Sequence, residues 1–267
     1  MPIFPTSIIP AAEATPTDPV VERGLRFEDG DTPYLTRTPG SAGNQKTWTL
    51  SCWVKRGNLT YTRSTFFAAG AFGVGDWMEL TFNSSDQLWV YFKNASYQLV
   101  TTQKFRDTSA WYHIVLAVDT TQTTDSNKVK IWVNGTQVTA FTTSTYPSVD
   151  DEDLPEVNST STHYIGHSGS AEYFDGSLAD IYLLDGTAKV ASDFGQENSN
   201  GQWVPKATSF SSGDYQTTER AAPISRTVVE RVTMASPQRE TRSTASKLAH
   251  HSRVMTGVFI LMGMGII

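Results

Sequence analysis

Cysteine is nearly absent from this sequence: Cys52 is the only one in 267 residues, so the chain cannot form an internal disulfide. This thiol lies in the apolar run "TLSCWV", where we expect a buried, inert side chain rather than a reactive one. Long hydrophobic runs are also missing. The longest is the fourteen-residue segment from Val254, which is shorter than the ~17–25 residues that a membrane-spanning helix needs.

Positive charge is scarce over most of the chain. The net charge is −6, and the segment from Glu219 onward holds seven Lys or Arg against three Glu. Residues 1–218 therefore carry −10. Because contacts to phosphate groups need clustered Lys and Arg, this acidic body argues against nucleic acid as a partner.

The 3.6-residue period of amphipathic helices is absent as well. Residues 24–186 instead show short apolar or alternating runs separated by turn residues, and Thr, Ser, Gly, Asn and aromatic residues are abundant. This pattern predicts an all-β, antiparallel sandwich or barrel. Residues 1–23 form a Pro-rich segment that predicts an extended N-terminal arm, and residues 207–267 form a basic segment that predicts an irregular C-terminal tail.

One hairpin can be predicted in detail, in "KVKIWVNGTQVTA". Asn134-Gly135 is a strong signal for a two-residue turn, because both positions need a positive φ. This turn pairs Val133 with Thr136 and places the apolar residues of both strands on one face. The opposite face then carries Trp132 and Gln137.

Two further runs, "DWMELTF" and "QLWVYFK", alternate in the same way. Each predicts a strand with one apolar face. Trp77 and Glu79 lie opposite the apolar residues of the first strand, and Trp89 and Tyr91 lie opposite those of the second.

Several segments, in order, resemble the laminin-G-like, or concanavalin A-like lectin/glucanase, jelly roll: "AWYHIVLAVD", "KVKIWVNGTQV", "YIGHS" and "YFDGSLADIYLLDGTA". The run "RFEDGDTPYLTRTPGSAGNQKTWTLSCWVKRG" and the closing "SDFGQENSNGQWVPK" are similar to the version that bacteriophages of aquatic bacteria encode in virion structural or tail-associated proteins. The resemblance covers residues 24–206. It implies two curved antiparallel sheets packed face to face, with a concave face and rim loops available for ligands.

The segment "DEDLPE" has the spacing of the catalytic strand of glucanases that this fold resembles, with Asp151, Asp153 and Glu156 in the three acidic positions. On a strand, however, Glu156 would point away from the two aspartates, and Pro155 lacks the N–H of a paired strand. We therefore interpret the segment as part of a long, solvated acidic loop. A Ca²⁺ site formed by Asp150, Asp151 and Asp153 is an alternative, because hard carboxylate oxygens suit this ion.

The outward aromatic residues are the candidate ligand site. If their strand faces line one concave sheet, Trp77, Trp89, Tyr91 and Trp132 could stack against sugar rings, while Glu79, Asn94 and Gln137 hydrogen-bond to hydroxyl groups. The alternative is that these aromatic side chains only stabilise cross-strand pairs.

Two smaller groups complete the set of candidates. His113 in "WYHIVL" is expected to be a packed structural histidine. Asp29 and Asp31 in the turn "EDGD" are a further candidate pair for a metal.

The sequence thus favours a non-catalytic phage structural or tail-associated protein, located in the virion. It would bind host-surface glycan or a neighbouring virion protein through a lectin-like sandwich. Two alternatives remain: a glycan hydrolase that uses Asp151, Asp153 and Glu156, and a purely architectural virion domain. Homo-oligomer formation, docking of the tail into a neighbouring subunit and a weak membrane contact by the C-terminal apolar segment are further hypotheses about partners.

Overall fold

The structure is a computed structural model that describes residues 24–59, 61–92, 95–149, 156–170, 172–208 and 210. Several expectations fall outside these residues: the arm over residues 1–23, the side chains of Asn94, Asp150, Asp151 and Asp153, and most of the predicted tail.

Strands dominate the described residues. They are β1 (Gly24–Phe27), β2 (Leu35–Arg37), β3 (Thr47–Arg56), β4 (Arg63–Ala71), β5 (Val74–Asn83), β6 (Gln87–Phe92), β7 (Tyr97–Lys104), β8 (Tyr112–Asp119), β9 (Val129–Val133), β10 (Thr136–Gln137), β11 (Phe141–Thr145), β12 (His163–Ile165), β13 (Gly176–Asp185), β14 (Gly195–Glu197) and β15 (Trp203–Pro205). One α-helical turn, α1 (Asp125–Lys128), and two 3-10 turns (Asp29–Asp31 and Ala191–Asp193) lie between them.

Antiparallel pairing joins these strands into two main sheets. The six-stranded sheet has the order β1-β13-β3-β8-β9-β10, and the seven-stranded sheet has the order β11-β7-β6-β5-β4-β12-β2. β14 and β15 form a separate small hairpin. The prediction of an all-β, antiparallel two-sheet sandwich is confirmed.

The core lies between the two sheets, because alternate residues of each strand point inward. Trp48 of β3 meets Phe92 of β6 across this space, with ring centroids 6.2 Å apart. Cys52 is buried here, and burial raises the pKa of its thiol, as expected for an inert side chain. The residues that fill most of the space between the central strands are Leu50, Val54, Ile114, Leu116, Val118, Val129, Ile131, Met78, Leu80, Phe82, Leu88 and Val90.

The predicted hairpin is confirmed in its turn and register. Asn134 and Gly135 have φ angles of 47° and 81°, and Val133 faces Thr136. Glycine is needed at position 135 for a second reason: a Cβ there would lie 2.5 Å from the Trp203 ring.

The second strand of the hairpin, predicted to reach Ala140, is shorter than expected, although the Val138 N–H still donates to the Ile131 carbonyl at 2.8 Å as the predicted register requires. β10 ends at Gln137, and the chain crosses to the edge of the seven-stranded sheet, where β11 pairs with β7. The long acidic loop that the sequence predicts around "DEDLPE" extends from residue 142 to residue 161, but residues 142–145 belong to β11. The strand was missed because its residues are mostly exposed, so "FTTST" has no apolar alternation. The described residues of the following loop, 146–149 and 156–162, contain no strand, as expected.

A second apolar cluster covers the outer face of the six-stranded sheet. Its buried members are Val115, Ala117, Trp132, Tyr182, Leu184, Ala191 and Phe194, and Trp203 and Phe210 pack against them. Phe210 lies beyond residue 206, the predicted end of the domain, yet its ring is 5.3 Å from that of Phe194. The segment from Ala191 to Phe210 therefore covers this sheet.

His113 lies within this covered face and is a packed histidine, as predicted. Its Nδ1 accepts a hydrogen bond of 2.9 Å from the Trp203 indole, so the neutral ring carries its proton on Nε2, which is 2.9 Å from the Ser51 hydroxyl. Burial lowers the pKa of His113 to about 3.

Within the described residues, no helix has the length and apolar character required to cross a membrane. The apolar segment from Val254 lies outside these residues.

Candidate functional site

Four of the predicted site residues lie together on the outer face of the seven-stranded sheet. The pairing of β5 with β6 places Glu79 opposite Tyr91 and Thr81 opposite Trp89, and Trp77 lies on the same side of β5. The other side of both strands is in the core, as predicted. Together with Arg63 from β4, we call Trp77, Glu79, Trp89 and Tyr91 the outer aromatic face.

Trp132 and Gln137 do not belong to this face, which corrects the expectation that all four aromatic residues share one sheet. Both lie on β9 and β10 of the six-stranded sheet. Trp132 is only 7% exposed because it packs in the second apolar cluster, whereas Gln137 is exposed. Alternation within a strand shows which residues share a side of that strand, but it does not show to which sheet the strand belongs.

Hydrogen bonds fix the indole rings of the outer aromatic face. Trp77 Nε1 donates to the Tyr91 hydroxyl at 3.2 Å, and Trp89 Nε1 donates to Gln98 Oε1 at 3.1 Å. The Trp89 and Tyr91 ring centroids are 4.8 Å apart. Both tryptophans are half-buried, whereas Tyr91 is buried beneath them.

Arg63 connects the face to a neighbouring loop. Its guanidinium lies 3.8 Å from the centroid of the Phe72 ring, donates to the Tyr91 hydroxyl at 3.0 Å and pairs with Glu172 Oε1 at 2.5 Å. The other oxygen of Glu172 accepts a hydrogen bond of 2.8 Å from Ser168. Sequence analysis missed Arg63 and Glu172, because the two residues are 109 positions apart and neither belongs to a motif.

Glu79 is the most perturbed acid of the face. It is 0% exposed, accepts a hydrogen bond of 3.0 Å from Thr65 and lies 3.9 Å from Arg63. Burial raises its pKa to about 7, although hydrogen bonds from Tyr91 and Thr65 and the charge of Arg63 oppose this shift. Burial also raises the pKa of Tyr91, and the neighbouring Glu79 adds to that effect. Glu79 organises the polar groups beneath the aromatic rings and has no surface for direct contact with a ligand.

The glucanase-like acids are not assembled within the described residues. Asp151 and Asp153 lie outside them, and Glu156 is a buried residue of a loop rather than of a strand. Burial raises the pKa of Glu156, and the charge of Asp76 adds to this shift. The catalytic and Ca²⁺ hypotheses for this segment remain predictions.

A second acidic group lies at the end of β1. Oxygen atoms of Glu28, Asp29 and Asp175 are within 4.8 Å of one another, so one of the two aspartates of the "EDGD" turn takes part and Asp31 does not. Arg26 pairs with Glu28 at 3.2 Å and with Asp175 at 2.8 Å. This positive charge already neutralises part of the group, so the carboxylates do not by themselves indicate a cation site.

This chain is similar to solved structures of other proteins. A heptameric SAP-like pentraxin from Limulus polyphemus is 13% identical, with 62% of this chain and 75% of the pentraxin covered and a TM-score of 0.43. Domain 4 of an extracellular arabinanase from Geobacillus stearothermophilus is 22% identical, with 56% and 64% covered and a TM-score of 0.39. Domains LG4-5 of the mouse laminin alpha1 chain are 10% identical, with 64% and 44% covered and a TM-score of 0.42.

The chain thus spans less than two thirds of the arabinanase domain and of the laminin pair. At these low similarities, the ligands and activities of those proteins cannot be assigned to this chain. No curated protein matches the sequence. A family model described as the concanavalin A-like lectin/glucanases superfamily matches residues 29–192, which is more than half of the chain. This chain therefore belongs to the Laminin_G_3 family of that superfamily.

Proposed function

We propose that this protein is a non-catalytic glycan-binding component of a bacteriophage particle and that it binds host-surface glycan at the outer aromatic face. The observation that carries the proposal is the placement of Trp77 and Trp89. Both rings are half-buried on one sheet face, and each is held by a hydrogen bond from its indole nitrogen.

Fixed indole rings suit the recognition of sugars. The apolar face of a pyranose packs against an aromatic ring, and a ring that is already oriented loses little conformational entropy on binding. Arg63, Gln98 and Glu172 give the rings a polar border, which suits the hydroxyl groups of a sugar. A rigid aromatic surface with a polar border therefore favours a glycan ligand.

The arrangement of acids supports binding without cleavage. Glycoside hydrolysis needs two carboxyl groups that flank the scissile bond. Glu79 has no exposed surface, and both oxygens of Glu172 are held, one by Arg63 and one by Ser168. A hydrolase that uses Asp151, Asp153 and Glu156 is the competing proposal.

The location in a virion rests on the resemblance to phage tail-associated sequences. Host-surface glycan is the proposed partner, with neighbouring virion proteins as a further partner, and a purely architectural domain would contact protein alone. Mass spectrometry of purified phage particles tests the location, and absence of the chain from those particles would contradict it.

A glycan array with the full-length chain tests the binding site. We expect Trp77→Ala and Trp89→Ala each to weaken binding to the strongest array glycan by about tenfold or more, which corresponds to ~1.4 kcal/mol. Trp111→Ala is the matched control, because Trp111 is 38% exposed and lies just before β8 of the other sheet. An array without any binding would favour the architectural domain.

A reducing-sugar assay on β-glucans tests the competing proposal. We expect no release of sugar by the wild type. Release that is lost in Glu156→Gln would instead establish the hydrolase and overturn the non-catalytic proposal.

A further inference from the structure

A short hairpin, in which residues 167–168 pair with residues 172–173, lies beside the outer aromatic face. It follows β12, and an isolated bridge joins His167 to Tyr173. The Ser168 N–H donates to the Glu172 carbonyl at 2.9 Å, and the Phe72 N–H donates to the Ser168 carbonyl at 3.1 Å. The hairpin is thereby attached to the turn between β4 and β5.

Alternation along the hairpin gives it two different sides. Ser168 and Glu172 form one pair, in which the Ser168 hydroxyl donates to Glu172 and Glu172 in turn pairs with Arg63 of the outer aromatic face. His167 and Tyr173 form the next pair and face a different set of rings, those of Tyr34 and Tyr164.

The four rings form a compact group that we call the tyrosine–histidine cluster: Tyr34, Tyr164, His167 and Tyr173. The His167 ring stacks on Tyr34 at 4.6 Å and on Tyr173 at 4.2 Å, and the Tyr164 ring meets it edge-on at 5.6 Å. The three tyrosines are half-buried, and His167 is buried among them. Solvent therefore reaches the tyrosine rings but hardly reaches the imidazole.

His167 holds a hydrogen-bond donor that the described residues do not satisfy. Its Nδ1 accepts a hydrogen bond of 3.1 Å from the Gly169 N–H, so the neutral ring carries its proton on Nε2. Nε2 is buried and has no hydrogen-bond partner among the described residues. An unpaired buried donor is unfavourable, and an incoming acceptor would recover this free energy.

The cluster has no formal charge near pH 7. Burial lowers the pKa of His167 to about 4, and burial raises the pKa of Tyr164 and Tyr173. Glu172 lies on the other side of the hairpin and is paired with Arg63. The chemistry therefore suits a neutral molecule that combines an apolar ring face with hydroxyl groups, which describes a neutral sugar residue.

We propose that the tyrosine–histidine cluster is a second subsite that binds a neutral sugar residue of the same glycan. This inference rests on the proposed glycan-binding function. The sugar ring packs against Tyr34 and Tyr173, and a hydroxyl oxygen accepts the hydrogen bond from His167 Nε2.

The distance between the outer aromatic face and the tyrosine–histidine cluster sets the minimum length of a ligand that contacts both. The strand register places Tyr164, Ala68, Glu79 and Tyr91 side by side on the adjacent strands β12, β4, β5 and β6. Three strand intervals span about 14 Å. A single sugar residue cannot occupy both regions, so an oligosaccharide is required to contact both.

The test compares the binding of a long and a short ligand. The probes are the strongest oligosaccharide of the glycan array and the monosaccharide of its most tightly bound end, measured by isothermal titration calorimetry. We expect Tyr34→Ala and Tyr173→Ala to weaken oligosaccharide binding by about tenfold and to leave monosaccharide binding within about twofold of the wild type. Trp77→Ala weakens the binding of both probes. Tyr34→Phe and Tyr173→Phe retain most of the affinity because they keep the ring, while unchanged monosaccharide binding shows that the two alanine variants are folded.

Each other outcome has a distinct meaning. If the tyrosine-to-alanine variants bind the oligosaccharide as the wild type does, the subsite is absent although the proposed function stands. If they weaken both probes equally, the cluster acts only through the position of the hairpin, which also overturns the subsite. If the wild type binds no glycan, the proposed function fails and the subsite fails with it.

Discussion

The two sheets have the same alternating sequence pattern on their outward-facing positions, but their outer faces differ in the folded protein. Trp132 on the six-stranded sheet and Trp89 on the seven-stranded sheet both lie opposite an apolar stripe. Trp132 is covered, because residues 191–210 return across its sheet and bring Trp203 and Phe210 onto it. Trp89 stays half-buried on a face bordered by the Arg63–Glu172 ion pair.

This comparison shows what an outward tryptophan can mean. Such a residue belongs to the core when a later segment covers its face, and it remains available to a ligand when no segment does. The two outer faces should therefore respond differently to truncation: the covered face in folding stability and the open face mainly in binding.

The largest expected effect is that of Trp132→Ala. Truncation of a buried tryptophan removes apolar contacts and leaves a cavity, so we expect the free energy of unfolding to fall by about 3–5 kcal/mol. Trp111→Ala is the control and should lower it clearly less, because that side chain is 38% exposed and leaves no enclosed cavity. Urea denaturation followed by circular dichroism measures both. Similar losses in the two variants would contradict the view that residues 191–210 complete a second core.

The next effect concerns the buried acid of the open face, Glu79. Burial raises its pKa to about 7 in the folded protein from an ordinary value of 4.5, so between these pH values the folded state binds more protons than the unfolded state. Stability therefore falls as the pH rises through this window, by at most about 1.4 kcal/mol per pH unit. Glu79→Gln removes this dependence, and the variant should gain stability relative to the wild type from pH 4.5 to 7.

Denaturation curves of both proteins across that range test the sign. Glu197→Gln, which removes a carboxylate from an exposed position on β14, is the matched control. A difference between wild type and Glu79→Gln that stays constant with pH would show that Glu79 ionises normally in the folded protein.

His113 gives the corresponding test for the covered face. His113→Phe keeps a ring of similar shape but leaves the Trp203 N–H and the Ser51 hydroxyl without their partner. We expect a loss of about 1–3 kcal/mol at neutral pH. Because the folded pKa is about 3 and the unfolded value is 6.5, the wild type loses stability as the pH falls through this window, since only its unfolded state takes up the proton.

The variant lacks this titration, so the stability gap between the two proteins should narrow on acidification. Thermal unfolding between pH 7 and pH 4 measures the gap. A gap that widens at low pH would mean that His113 is protonated in the folded protein.

Local features of the fold were predictable from the sequence, because they depend on neighbouring residues. The Asn134-Gly135 turn and the alternation of β5 and β6 follow from φ preferences and from the two-residue period of a strand. The prediction of two sheets packed face to face came from the resemblance to a known family.

Features that depend on distant segments were not predictable. The sequence does not show that Trp132 is covered by residue 203, or that Arg63 meets Glu172 on a hairpin more than a hundred residues away. It also gave no sign that Glu79 is buried, because its alternation marks it as outward-facing. The aromatic density of "HYIGHSGSAEYF" is a signal for the tyrosine–histidine cluster, but parts of the same segment also match the family pattern, so the signal is not specific.

The smallest predicted effect tests whether the open face is organised for binding. Gln98 accepts the hydrogen bond from the Trp89 indole, and Gln98→Ala removes this bond while leaving the half-buried ring in place. We expect a stability loss of only about 0.5–1.5 kcal/mol. Glycan affinity should fall severalfold, because the ring is free to rotate and must be ordered again on binding. Calorimetry with the strongest array glycan should show a less favourable entropy of binding in the variant. An unchanged affinity would mean that Trp89 is held by its contact with Tyr91 alone, so the hydrogen bond would play no part in preparing the face for a sugar.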